Sequence, residues 1–160
     1  MMGLFNLFKK DAKNSQIVAV CTGEYVPNDK ISDPMFAQNM MGQTLGFEPT
    51  DGTIVAPCDG TIESIFPTGH AFTIRMTDGT GLLVHVGIDT VKLKGEGFTL
   101  LKKEHDKVKA GDPVVTVDLA KVKAADLPTT TMIIVAEPVE GKSYNFIDYG
   151  PVTAGQQISC

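Results

Sequence analysis

Two histidines, His70 and His85, are the residues whose type and spacing could do chemistry. His85 lies in the apolar run Leu82 to Ile88, where an imidazole costs free energy to bury unless its nitrogens find partners. It is therefore a satisfied core residue, a ligand or catalytic group, or part of an exposed apolar site. The third histidine, His105, lies in a polar run, and we expect it to be an exposed loop residue without function.

A predicted hairpin brings the two histidines together. Strand-like runs at 71–76 and 81–86 flank the dipeptide Asp78-Gly79, which is a strong hairpin signal. With the turn centred between these two residues, His70 should pair near Gly87, about two residues from His85. Long side chains at that separation can touch across adjacent strands.

Two neighbouring imidazoles suit two kinds of chemistry. They could hold zinc, but a catalytic zinc site normally has three protein ligands, and Asp89 is only the nearest acidic candidate for a third. Alternatively, neutral His85 attacks phosphorus, and His70 donates a hydrogen bond to the phosphoryl oxygens. Thr68 could then bond a histidine nitrogen and fix its tautomer, and the neighbouring glycines, Gly69 and Gly87, leave room or simply serve turn geometry.

The elements that must position these residues are short strands. Short β-prone runs separated by turn dipeptides predict an all-β fold, an antiparallel β-sandwich or barrel-like single domain with one or two very short helices. The helices are expected at 119–125, with Asp118 as N-cap, and within 33–41. The strand-like runs are 17–20, 53–55, 61–66, 71–76, 81–86, 113–117 and 131–135. Residues 1–15 are predicted to be a flexible tail, and 16–160 the domain.

Composition limits the classes of function. A formal charge of −5 and a pI of about 5.1 argue against nucleic acid as a partner. The cysteines at positions 21, 58 and 160 have neither disulfide nor metal-ligand spacing, so they are interpreted as reduced thiols, Cys58 buried and Cys160 exposed. No run is long enough to span a membrane, which favours a cytoplasmic protein, although apolar residues at helical spacing in 1–10 allow a weak membrane contact.

The histidine segments also carry a family resemblance. The stretches are 69–72 (GHAF), 83–91 (LVHVGIDTV) and 93–98 (LKGEGF), with further likeness at 33–42, 55–62 and 108–112. In order and spacing they resemble the glucose-type IIA component of the bacterial sugar phosphotransferase system. The likeness covers roughly residues 17–155, and the run from His85 to Phe98 is unlike common low-information motifs.

The resemblance implies roles for residues and partners. His85 would accept a phosphoryl group from the phosphorylated histidine carrier protein HPr and pass it to a cysteine on the IIB domain of a sugar permease. His70 would stabilise the group in transfer, and Thr68 matches the family residue that bonds this supporting histidine. No cofactor is required. A docking face would be formed by Asp89 and an apolar rim of Met35, Phe36, Met41, Phe66 and Val91.

Three other functions remain open from the residues. A biotinyl- or lipoyl-type carrier domain would share the stretches 56–62 and 108–112, but it needs a lysine at a hairpin tip, and Asp78-Gly79 has none. A β-fold zinc peptidase lacks its third ligand. A regulatory protein would bind and inhibit transporters or kinases when unphosphorylated. Zinc shared through His70 and His85 is conceivable only with such a partner.

Overall fold

The structure, a computed structural model, describes residues 16–160, so the predicted tail at 1–15 and its membrane contact lie outside it. The described chain is built from short strands and two short helices, Pro34–Ala37 and Leu119–Ala124, with 3-10 turns at Asn28–Lys30 and Thr90–Leu93. The strands are β1 (Gly23–Val26), β2 (Gln43–Pro49), β3 (Thr53–Val55), β4 (Gly60–Ile65), β5 (Ala71–Met76), β6 (Gly81–Val86), β7 (Phe98–Leu100), β8 (Lys107–Val108), β9 (Pro113–Val117), β10 (Thr131–Glu137) and β11 (Gly150–Val152).

The strands form two antiparallel sheets. An eight-stranded sheet has the order β11-β1-β2-β10-β6-β5-β4-β8, and a three-stranded sheet has the order β3-β9-β7. The main hydrophobic cluster takes buried side chains from both sheets, which makes the molecule a β-sandwich. The predicted all-β class with two very short helices is confirmed. Among residues 16–160, no helix is long and apolar enough to cross a membrane.

The central strands of the large sheet bury side chains on both faces. Val84 of β6 and Ile133 of β10 point into the main cluster. Their neighbours point the other way, because side chains alternate along a strand. Met132 and Ile134 therefore join Phe36 in a second, smaller cluster under the helix Pro34–Ala37. His85 lies on this second face, directly opposite Met132.

Both predicted helices are present and capped by aspartates. The Asp33 side chain accepts a hydrogen bond from the backbone N–H of Met35, and Asp118 accepts one from Lys121. Such caps satisfy donors that the first turn of a helix leaves unpaired. The Asp33 cap matters here, because it fixes the start of the helix that covers His85.

The predicted hairpin is confirmed in its strands but its register was wrong by one residue. Met76 N–H donates to the carbonyl of Thr80 at 2.8 Å, so the loop contains three residues rather than an even number. Gly79, with φ +97°, supplies the left-handed position that such loops require. Ala71 consequently has His85 as its Cα partner, and His70 bonds Val86 instead of lying opposite Gly87.

One predicted strand was wrong and five were missed. The run 17–20 is buried but does not run along a single partner: Val18 N–H donates to Pro57 and Ala19 N–H to Gln156, both at 2.7 Å. The strands absent from the prediction are β1, β2, β7, β8 and β11. As predicted, Cys58 is buried and Cys160 is exposed; Cys21 is buried as well, and all three are free thiols.

Candidate functional site

The end of β6 fixes the ring of His85. Its Nδ1 atom lies 2.7 Å from the carbonyl oxygen of Gly87, two residues further on. A carbonyl oxygen can only accept, so in this bond Nδ1 carries the proton. Neutral His85 therefore has its lone pair on Nε2. Gly87 makes the contact feasible because its φ of +75° turns the chain sharply after the strand.

A tight loop between β4 and β5 holds His70. Phe66 N–H donates to the carbonyl of Ala71 at 3.0 Å, and Gly69 N–H donates to Phe66 at 2.8 Å. Gly69 has φ +76°, so the turn geometry itself explains this glycine. The carbonyl of His70 accepts a bond from Val86 N–H at 2.7 Å, which ties this loop to the end of β6.

Thr68 bonds the ring of His70. Its Oγ1 atom is the hydrogen-bond partner of His70 Nδ1. A hydroxyl can donate or accept, so this contact fixes the orientation of the ring while allowing either tautomer. One face of the ring is covered by Phe66, whose ring is stacked on it with centroids 5.1 Å apart. His70 is thus held in place from two sides.

The two imidazoles meet edge to face. Their centroids are 5.4 Å apart and their planes are inclined by 76°. Each Nδ1 is occupied by its own loop, and within residues 16–160 neither Nε2 has a hydrogen-bond partner. Because no buried side-chain nitrogen or oxygen of the described chain lacks a partner, both Nε2 atoms are open to solvent. His70 and His85 are brought together as predicted, and each ring keeps one nitrogen without a hydrogen bond to residues 16–160.

The surroundings favour neutral imidazoles. Burial lowers the pKa of His85, and the hydrogen bond to Gly87 and the charges of Asp33 and Asp89 offset part of this effect. Burial also lowers the pKa of His70, and a charge on His85 would lower it further. Near neutral pH both rings are therefore held in the form that has a nucleophilic lone pair.

Exposed apolar side chains lie on the helix that covers His85, on the loop that holds His70 and on neighbouring segments of the chain. Met35 is 46% exposed, Met41 41%, Phe66 48% and Val91 51%, which is unusual for such residues. Phe36 differs from the other members of the predicted rim: it is only 6% exposed, and its ring contacts His85 with centroids 5.1 Å apart. Phe36 packs against the ring of His85 and is not part of an exposed rim.

Asp89 stands outside the ring pair. It has φ +61° at the start of the 3-10 turn, and its carboxylate lies 3.9 Å from the Lys92 ammonium at the surface. In the part of the chain that the structure describes, no three His, Cys, Asp or Glu side chains are grouped to hold a metal ion. His70 and His85 could supply two ligands to a metal, and the rest would have to come from elsewhere.

Sequence reasoning did not assign three residues that the geometry connects to the site. Asp33 caps the helix over His85, and the dipeptide Asp33-Pro34 was the available signal for it. Leu100, 39% exposed, approaches Gly69 and extends the apolar surroundings of His70. Thr90 is buried and its hydroxyl donates to the carbonyl of Val86 at 2.5 Å, a contact that no sequence motif predicts.

This arrangement suits transfer of a group between nucleophiles. An unprotonated Nε2 on His85 can attack an electrophile, and the Nε2 of His70 is placed to donate to oxygens that become negatively charged. The apolar surround can exclude water once a partner covers it, which protects a labile intermediate. The exposed location gives access to another macromolecule rather than to a substrate enclosed in a cavity.

Comparison with known proteins agrees with this geometry. A family described as "phosphoenolpyruvate-dependent sugar phosphotransferase system, EIIA 1" matches residues 15–140. A "PTS system glucose-specific EIIA component" of Staphylococcus epidermidis is 39% identical over 153 residues, covering 96% of this chain and 92% of that protein. The corresponding protein of Staphylococcus aureus is 40% identical over the same coverage. The solved structure of glucose permease IIA from Mycoplasma capricolum superposes with a TM-score of 0.85 at 33% identity, covering 90% of this chain and 93% of that one.

Proposed function

Because the chain belongs to the EIIA 1 family of the phosphoenolpyruvate-dependent sugar phosphotransferase system and is a phosphoryl carrier of that system, we propose that His85 accepts the phosphoryl group on Nε2. One observation carries this proposal: Nδ1 of His85 donates to Gly87, which leaves the lone pair of the neutral ring on the solvent-facing nitrogen. The exposed thiol Cys160 is a weaker candidate, because no base within residues 16–160 is bonded to it.

In the first step, His85 takes the group from the phosphohistidine of HPr. The Nε2 lone pair attacks phosphorus and forms a P–N bond. The P–N bond of the donor breaks, and its electron pair returns to the donor imidazole. Little proton transfer is needed, so positioning and charge stabilisation supply most of the catalysis. The bond from His85 Nδ1 to Gly87 becomes stronger as positive charge develops on the ring.

In the second step, the group passes to a cysteine on the IIB domain of a sugar permease. The thiolate attacks phosphorus, the P–N bond breaks, and the electron pair returns to Nε2 of His85. His70 donates from Nε2 to the phosphoryl oxygens during both steps. This role requires the proton of neutral His70 on Nε2, and the Thr68 hydroxyl then donates to Nδ1.

The apolar surround is the proposed docking surface for both partners. Met35, Met41, Phe66 and Val91 are exposed around a polar centre, an arrangement that transient interfaces use. Asp89 adds a negative charge, which would steer a basic donor. We place this exchange in the cytoplasm. The named relatives are glucose-specific, so glucose is the first sugar to test.

The carrier is proposed to work without a cofactor. Phosphoryl transfer between two nitrogens, or from nitrogen to sulfur, needs no redox group. A zinc ion on His70 and His85 would need ligands from a partner, and it would block the nitrogen that attacks phosphorus.

Intact mass tests the proposal. The purified protein is incubated with phosphoenolpyruvate, enzyme I and HPr, and compared with His85→Ala. As a matched control, His105→Ala removes an exposed histidine outside the site. We expect one acid-labile phosphoryl group on the wild type and on His105→Ala, and none on His85→Ala. Labelling of His85→Ala would refute the assignment.

A further inference from the structure

The buried hydroxyl of Thr90 lies behind the His85 turn and does not face the partner surface. Thr90 is fully buried, whereas Asp89 and Val91 on either side are exposed. Its Oγ1 donates to the carbonyl of Val86 at 2.5 Å, four residues back along the chain. A buried hydroxyl needs a partner, and this one closes a ring of backbone around Gly87.

The methyl group of Thr90 lies close to Gly87 in the turn that follows His85. A Cβ atom placed on Gly87 would lie 2.4 Å from Cγ2 of Thr90 and 3.1 Å from the carbonyl oxygen of Pro128. Ile88 N–H also donates to Pro128 at 3.1 Å. Gly87 is therefore closely approached by the side chain of Thr90 and by the carbonyl of residue 128, which restricts the movement of the turn that carries its own carbonyl.

That carbonyl is the acceptor for His85 Nδ1. In a neutral imidazole, the hydrogen bond that one ring nitrogen makes decides which of the two nitrogens carries the proton. We propose that Thr90 is a positioning residue for phosphoryl transfer: it holds the Gly87 carbonyl in the direction that keeps the proton of His85 on Nδ1 and the lone pair on Nε2.

Val86 connects Thr90 to the second histidine, His70, through hydrogen bonds. Its carbonyl accepts the Thr90 hydroxyl, and its N–H donates to the carbonyl of His70 at 2.7 Å. One buried side chain thus fixes the residue through which the two histidine loops are joined. The consequence for catalysis rests on the proposed function, but the tautomer of His85 can be measured without any phosphoryl transfer.

Three variants distinguish the contact made by the Thr90 hydroxyl from the contact made by its methyl group. Thr90→Val keeps the methyl contact and removes the hydroxyl, Thr90→Ser keeps the hydroxyl, and Thr90→Ala removes both while adding no bulk. Nitrogen-15 NMR of the unphosphorylated proteins reports the tautomer of His85, with His85→Gln used to assign its signals. Phosphoryl acceptance from HPr is then measured as maximum rate and half-saturating donor concentration.

The wild type and Thr90→Ser should carry the proton on Nδ1. Thr90→Val and Thr90→Ala should show a substantial population with the proton on Nε2, and roughly three- to tenfold lower maximum rates, the range expected for one hydrogen bond, with unchanged half-saturation. A wild-type tautomer and rate in a folded Thr90→Val or Thr90→Ala protein would overturn the proposal. If the wild type is not phosphorylated on His85, the proposed function fails, and the tautomers still decide the role of Thr90.

Discussion

The rings of His70 and His85 meet edge to face with their centroids 5.4 Å apart, and each is held through its own Nδ1 by a separate loop. The two nitrogens that remain free belong to neighbouring rings, which is the arrangement that the proposed support of a phosphoryl group by His70 requires. Burial lowers the pKa of both rings, and a charge on His85 would lower the pKa of His70 further, so the environment disfavours protonation of both.

The first prediction concerns the charge of His85. Burial holds its pKa below the ordinary value of 6.5, so the ring should remain neutral at pH values where a free imidazole begins to protonate. The folded state then binds fewer protons than the unfolded state, so His85 should lower stability as the pH falls below 6.5 and have no effect well above it. An NMR titration of the ring should give a midpoint below 6.5. A midpoint at or above this value would contradict the account.

The second prediction separates the two histidines. His70→Ala should still accept a phosphoryl group on His85, because the nucleophile is intact. Onward transfer to IIB should slow by roughly a hundredfold, which is typical for loss of one donor to developing negative charge. Single-turnover transfer from the isolated phosphoprotein measures this step alone. An unchanged rate would remove the proposed role of His70.

The third prediction concerns the apolar surround. Replacing Met35 and Val91 together by serine removes two exposed side chains without touching either imidazole directly. The half-saturating concentration of HPr should rise by roughly tenfold, with little change in maximum rate, because docking is weakened and the chemistry is not. Tyr149→Ser is the matched control, since Tyr149 is exposed but packs on Tyr25. Equal effects in both proteins would argue against a specific docking surface.

The fourth prediction concerns an ion pair at the hairpin turn, at the opposite end of β5 and β6 from both histidines. The Asp78 carboxylate lies 2.5 Å from the Lys142 ammonium and also accepts bonds from Tyr144 and from the N–H of Thr80. Burial alone would raise its pKa, but these bonds outweigh burial and lower the pKa of Asp78 from 3.8 to about 2. The stabilisation should be complete above pH 3.8 and lost as the pH falls through about 2.

Asp78→Asn should therefore reduce the free energy of unfolding at pH 7 by about 1.5–3 kcal/mol, the range for hydrogen bonds to a charged group. Urea unfolding measures the loss. Glu140→Gln is the control, because it removes an exposed carboxylate from the segment between β10 and β11 that also carries Lys142. Phosphoryl acceptance by Asp78→Asn should be unchanged. A loss no larger than that of Glu140→Gln would show that the ion pair contributes little.

The sequence was sufficient to predict that His70 and His85 lie close together at the end of one hairpin, because alternating apolar residues and an Asp-Gly turn are local signals. The sequence was insufficient to predict the register in which β5 and β6 pair. An Asp-Gly dipeptide fits loops of two, three or four residues, and only the bond between Met76 and Thr80 selects three. That one-residue difference moves Ala71 opposite His85.

The details that determine the chemistry were harder still to predict. The tautomer of His85 depends on the direction of the Gly87 carbonyl, and this depends on contacts from Thr90 and residue 128. Phe36 is buried against His85 because its helix packs on the second face of the sheet. No local sequence pattern predicts where that helix packs. Short strands such as β8 were missed because two residues carry no periodicity.

The most direct test is to locate the phosphoryl group on the ring. The protein is labelled with nitrogen-15 in histidine, phosphorylated through enzyme I and HPr, and studied by NMR for coupling between phosphorus and each ring nitrogen. The account predicts coupling to Nε2 of His85 and a proton retained on Nδ1, bonded to Gly87. Coupling to Nδ1 of His85, or to either nitrogen of His70, would contradict it.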